Sequence, residues 1–157
     1  MFNSNPNIGP PLSPDDIKKK VHSLDVTESE KQELINSLSI IGRNFTIFVR
    51  TFEETYSEKI PLKFLQNMSE ETLINMLSSA LNLIISSINE NFPLDEYLNV
   101  LTETHPYFLD IVKIKDLFHK SLMKAVIDSL GSFYTEKLGV LWFKAVLKFN
   151  KLIIILF

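Results

Sequence analysis

The sequence predicts an all-α protein, a bundle of six to eight helices, and three observations support this fold class. Apolar residues recur at intervals of three and four positions in most segments after Thr27, as in Leu34, Leu38 and Ile41. No segment sustains the alternation of apolar and polar residues that marks a half-buried strand. Proline, glycine or asparagine separates the periodic segments, so the connections are short.

Length and composition exclude several classes of protein. The 157 residues suit a single domain with a hydrophobic core of its own. The lack of cysteine excludes disulfides, cysteine-bound zinc, iron–sulfur clusters and thiol catalysis. A formal charge of −3 argues against a general nucleic-acid binder. Neither a glycine-rich phosphate loop nor a serine-hydrolase elbow occurs, and no catalytic residue is predicted.

Residues 1–26 are predicted to form an N-terminal extension before a helical domain of residues 27–157. Four of the seven prolines lie within the first 14 residues, and proline restricts the backbone and removes a hydrogen-bond donor. No targeting signal is recognisable, so we expect a cytoplasmic protein. The final apolar run, Leu152 to Phe157, is too short to span a bilayer, and it is interpreted as part of a buried helix.

The first two predicted helices begin near Thr27 and Asn44. Thr27-Glu28-Ser29-Glu30 has the form of a capping box, in which the first and last side chains each bond to the other's backbone. Gly42 is expected to end this helix and Asn44 to cap the next. The second helix precedes a break at residues 57–61, and its apolar face consists of Phe45, Phe48, Val49, Phe52 and Tyr56.

Four more helices are predicted after this break. Ser69 is the N-cap of the third, and Pro93 suits the first turn of the fourth, which stops at His105-Pro106. The fifth is expected from Ile111 to Leu130. The sixth begins at the N-cap Thr135, and its apolar face consists of Leu138, Leu141, Trp142, Ala145, Val146, Phe149 and Leu152.

Histidine offers the best candidates for chemistry. The chain has three, His22, His105 and His119, and their spacing fits no site with several histidine ligands. His119 stands beside a lysine, and it is expected at the surface.

His105 has distinctive neighbours along the chain. It lies one helical turn after Leu101 and shortly before Phe108 and Ile111, which are all apolar. A lone imidazole in these surroundings has two interpretations. It is an ordinary histidine, or it is the single axial ligand of a flat, apolar cofactor that carries iron.

Several segments between Thr27 and Leu152 form a further pattern, which rests on their order and spacing rather than on one motif. These segments are Thr27-Glu28-Ser29-Glu30-Lys31-Gln32, Phe45 to Phe52, Phe64, Leu101-Thr102-Glu103-Thr104-His105, Asp116 to Leu130 and Gly131 to Lys148. In that order the chain resembles a globin. The first two segments resemble the opening helices of that family, and Phe64 resembles the phenylalanine that packs on the haem. The segment ending at His105 resembles the helix that carries the proximal histidine, and the last two resemble the final helices.

The resemblance implies a globin-like domain that binds haem (heme b) with His105 as its iron ligand. Thr104 would orient the His105 ring, and Phe64 would contact the haem face. Phe48 would lie on the distal side with Leu77 or, one turn earlier, Leu73. The other residues implied to line the cofactor are Leu81, Leu101, Phe108, Ile111 and Leu117.

The resemblance also implies a function, namely binding of a diatomic gas (O₂, NO or CO), or gas or redox sensing. Neither Phe48 nor the leucines beside it can donate a hydrogen bond, so weak retention of O₂ is expected. Redox turnover would depend on a separate reductase as partner, and no enzymatic activity is assigned. The alternative is a haem-free globin-like domain with a regulatory or protein-interaction role. A third hypothesis is a plain helical bundle whose C-terminal apolar run docks on a partner or membrane.

Overall fold

The computed structural model describes residues 25–59, 68–89, 92–106, 108–113 and 115–156, and within these ranges the all-α prediction is confirmed. The predicted extension, residues 1–26, lies outside this part of the chain except for its last two residues. The described residues form seven α-helices and one 3₁₀ turn, Gly131–Phe133. The helices are α1 (Glu28–Arg43), α2 (Phe45–Lys59), α3 (Glu70–Ser86), α4 (Leu94–Thr104), α5 (Phe108–Lys113), α6 (Lys115–Leu130) and α7 (Glu136–Leu156).

The predicted N-caps are confirmed for three helices. At the start of α1, the Glu30 N–H donates to the Thr27 hydroxyl at 3.1 Å and the Thr27 N–H donates to the Glu30 carboxylate at 2.9 Å. Ser69 and Thr135 each accept a hydrogen bond from the backbone N–H three residues later. Each cap gives a partner to an N–H that the helix itself leaves free.

Three predicted boundaries differ from the structure. Within the break expected at residues 57–61, residues 57–59 belong to α2 instead. Helix α1 continues past Gly42 to Arg43, and Asn44 is its C-cap. The Asn44 side-chain amide donates to the carbonyl of Ser129 on distant α6 at 3.0 Å, and the Asn44 backbone carbonyl accepts from the N–H of Phe48 at 3.2 Å at the start of α2. The single helix predicted from Ile111 to Leu130 is two helices, because Ile111 belongs to the short α5.

The core is built around the contact between α2 and α6, which is the most extensive between any two helices described. Phe52 of α2 and Phe118 of α6 meet edge to face, with 6.1 Å between ring centroids. At the rim, the Thr51 hydroxyl donates to the carboxylate of Asp128 at 3.0 Å. Burial of apolar rings in this contact supplies the main driving force for joining the two helices.

Helix α7 is buried along one face, as its apolar stripe predicts. Trp142 is fully buried, and its indole N–H donates to the hydroxyl of Ser37 on α1 at 2.9 Å. That hydroxyl donates in turn to the Leu34 carbonyl at 2.7 Å. Ile153, near the end of α7, is also buried, in agreement with the prediction of a buried final helix. None of the helices described combines the length and the apolar character needed to cross a membrane.

Removal of the Ser37 hydroxyl tests the link between α1 and α7. Ser37→Ala leaves the buried Trp142 N–H without an acceptor, and it is expected to lower the free energy of unfolding by about 1–3 kcal/mol. Chemical denaturation measures this change. The matched control is Ser39→Ala, because Ser39 is an exposed serine of the same helix. Equal stability of the two variants would contradict the assigned role of the bond.

Two glycines are expected to respond oppositely to replacement by alanine. A Cβ at Gly139 would overlap the hydroxyl of Tyr134 and lie 3.0 Å from its Cζ, whereas a Cβ at Gly42 meets nothing within 4 Å. Gly139→Ala should therefore destabilise the protein by about 1–3 kcal/mol through overpacking. Gly42→Ala should stabilise α1 by up to about 1 kcal/mol through helix propensity. Thermal unfolding of both variants checks the signs, and Tyr134→Phe should recover part of the Gly139→Ala loss.

Candidate functional site

His105 lies at the end of α4, where the backbone leaves the helical conformation. Its N–H donates to the Leu101 carbonyl at 2.8 Å, which closes the last turn of α4. Pro106 has no N–H, so the helix cannot continue through it. The carbonyl of His105 accepts instead from the N–H of Phe108 at 3.0 Å. The backbone of His105 is therefore fixed by α4 on one side and by the first residue of α5 on the other.

The imidazole of His105 is partly buried. Burial lowers its pKa below the ordinary value for histidine, because a cation is poorly solvated there. Within the described part of the chain, no hydrogen bond involves the ring. A neutral imidazole with a free nitrogen lone pair is the form that binds a metal ion.

The side chain of Thr104 has another partner than the one expected. Its hydroxyl donates to the carbonyl of Val100 at 2.9 Å, one turn back on α4. The Thr104 hydroxyl therefore makes a bond within α4 instead of the expected bond to the His105 ring. This is a common local bond for a threonine near a helix end.

The apolar residues that the resemblance implies belong to one continuous core. Leu101 lies one turn before His105 on α4, and Phe108 opens α5. Within the described residues, this set is almost completely buried: Phe48, Leu77, Leu81, Leu101, Phe108, Ile111 and Leu117. Leu73, the alternative to Leu77, is buried as well. Phe64 lies outside the described residues.

The chemistry of these residues fits haem, but their packing is closed. The donor is an imidazole, and its apolar neighbours along the chain, Leu101 and Phe108, belong to the core, which suits a porphyrin. The most exposed of the seven residues implied to line the cofactor, Leu117, retains 7% of its accessible surface, and Phe48 and Phe108 retain none. A cofactor site typically occupies about 300–1,000 Å³. The apolar side chains of this core would have to move apart to admit a cofactor of that size.

His119 is buried, and the prediction of a surface position is wrong. It retains 9% of its accessible surface, and its ring lies against that of Phe143 on α7, with 4.3 Å between centroids. Its Nε2 has no hydrogen-bond partner among the described residues. Burial lowers the pKa of His119 to about 4, although the charge of Asp116 acts in the opposite direction. Neighbouring Lys120 is exposed, which shows that adjacent helix positions face different surroundings.

A separate cleft was not foreseen from the sequence. It has a volume of about 350 Å³ and lies between α2 and the start of α3. Eight residues line it, namely Thr46, Val49, Arg50, Glu53, Glu54, Met68, Glu70 and Leu73. Four of them are ionisable, namely Arg50 and the three glutamates. No group of three or more His, Asp or Glu side chains in the described residues is arranged to hold a metal ion. This cleft is therefore not assigned a ligand.

Protonation of His119 should make the folded state less stable in acid. Its folded pKa of about 4 lies below the ordinary value of 6.5, so the unfolded chain binds the proton more readily. The contribution of neutral His119 to the free energy of unfolding is fully present above pH 6.5. It decreases as the pH falls toward 4, by about 3 kcal/mol in total.

Denaturant unfolding at several pH values measures this loss, with His119→Leu as the test variant. The variant should show a smaller decrease in stability between pH 6.5 and 4 than the wild type. His105→Leu serves as the control for loss of a less buried histidine, and it should retain most of the decrease. An unchanged pH dependence in His119→Leu would contradict the assignment.

Comparison of the chain with protein-family models, with curated proteins and with solved structures finds no match.

Proposed function

We propose that this chain is a globin-like protein that binds haem b, with His105 as the axial ligand of the iron. The observation that carries the proposal is the position of His105, a partly buried imidazole at a helix end, with the buried residues Leu101 and Phe108 before and after it in the chain. The all-α fold and the order of its helices are compatible with it. When bound, the haem would supply an iron atom with a coordination position for O₂, NO or CO.

The residues around such a ligand would determine its retention. Phe48 is stacked on Phe45, with 5.2 Å between centroids, and it brings no hydrogen-bond donor. Leu77 and Leu73 bring none either. Bound O₂ is stabilised by a nearby donor, so these residues favour weak O₂ retention and relatively better binding of CO or NO. The proposal therefore places the protein in gas or redox sensing, with a separate reductase as redox partner and the cytoplasm as its location.

A second candidate is a haem-free globin-like domain with a regulatory or protein-interaction role. The closed packing of the apolar core favours this candidate, because the core side chains already cover one another. Two large apolar residues on the outer face of α4 also favour it, since Tyr97 and Val100 are 51% and 62% exposed. Exposed apolar side chains on one helix face are a common feature of protein contacts.

Titration with haem separates the two candidates. The first predicts a Soret band in the range of roughly 400–430 nm for the wild type. His105→Ala should lose or shift that band, because the axial ligand is gone. His119→Leu is the matched control, since it removes a histidine that the proposal does not place on the iron, and it should retain the band.

Two results would contradict the first candidate. One is the absence of a Soret shift at saturating haem, which would favour the haem-free domain. The other is a spectrum of His105→Ala identical to that of the wild type, which would show that another group binds the iron.

A further inference from the structure

The carbonyl of Ile111 accepts a buried hydrogen bond from a distant helix. The hydroxyl of Tyr56, on α2, donates to this carbonyl at 2.8 Å, and both residues are fully buried. Burial, together with the nearby charge of Asp110, raises the pKa of Tyr56 to about 12. The hydroxyl therefore keeps its proton near neutral pH and remains a donor.

The shortness of α5 explains why this carbonyl is available. Helix α5 has only six residues, Phe108 to Lys113. The last four carbonyls of a helix have no N–H partner within it, and the carbonyl of Ile111 is one of these four. A buried carbonyl without a partner would be costly, and the Tyr56 hydroxyl removes that cost.

The same short helix is attached to His105 at its N-terminal end. The N–H of Phe108 donates to the His105 carbonyl, so the first turn of α5 is attached to the residue that ends α4. Phe108 is further held by its ring, which contacts the rings of Phe118 and Phe149. Because α4 cannot continue through Pro106, the direction of the chain at His105 depends on where α5 is held.

We propose that Tyr56 is a positioning residue for His105. Its hydrogen bond to the Ile111 carbonyl holds the C-terminal part of α5. The bond from the Phe108 N–H to the His105 carbonyl holds the N-terminal part. Fixing both ends sets the orientation of the imidazole and its partial burial. The role in iron binding rests on the proposed function, but the effect on the imidazole itself does not require a cofactor.

The test is Tyr56→Phe, which removes only the hydroxyl, in protein without added haem. Two-dimensional NMR of histidine ring protons and nitrogens at constant pH follows the surroundings of the His105 ring. The variant should shift the His105 ring resonances, because the ring becomes less buried. Hydrogen exchange of the amides of α5 should become faster by about tenfold, as expected for loss of a buried bond.

Tyr134→Phe is the matched control. The Tyr134 hydroxyl is buried, but it has no hydrogen-bond partner among the described residues. Its removal should leave both the His105 ring resonances and the exchange of α5 unchanged. A Tyr56→Phe protein that folds and shows the wild-type ring resonances of His105 would overturn the proposal.

A second measurement applies if Tyr56→Phe fails to fold. In the wild type, the Tyr56 hydroxyl proton should be visible by NMR as a slowly exchanging signal close to Ile111, and its absence would overturn the proposal. The haem titration tests the proposed function separately. Failure of the wild type to bind haem leaves the Tyr56 result standing, and an unaffected His105 in Tyr56→Phe leaves haem binding standing.

Discussion

The ring of Phe118 joins the helices on which the position of His105 depends. It meets Phe52 of α2 at an interplanar angle of 73° and Phe108 of α5 at 89°. Phe108 then contacts Phe149 of α7. Such edge-to-face contacts place the positive edge of one ring against the negative face of another, so they define orientation as well as burial. The short α5, which has few internal hydrogen bonds, is held mainly by this cluster and by Tyr56.

Some polar side chains in the core have a hydrogen-bond partner on another helix, and others have none among the described residues. Trp142 and Tyr56 each donate to an acceptor on another helix, and both bonds connect residues that are far apart in sequence. His119 has no such partner for its Nε2, and it stays neutral because a charge there would be poorly solvated. The first two groups thus specify how helices pack, whereas the third is expected to make the same core sensitive to acid.

The two functional candidates make different demands on this core. Haem binding would need an axial ligand and apolar walls, for which His105 and the core residues are proposed, and it would also need space between them. The haem-free candidate needs no such space, and it uses the core as it is packed. The decisive quantity is the free energy required to separate the side chains of this core.

The sequence by itself determined the local structure of this protein. Capping residues such as Thr27 and Ser69, and the proline after His105, act on backbone groups within a few positions, so helix starts and the end of α4 were predictable. It also indicated His105, through its apolar neighbours along the chain. Contacts between distant segments were not predictable in this way. The burial of His119, the division of one predicted helix into α5 and α6, and the bond from Tyr56 were decided only by the tertiary structure, because each depends on which helix packs opposite.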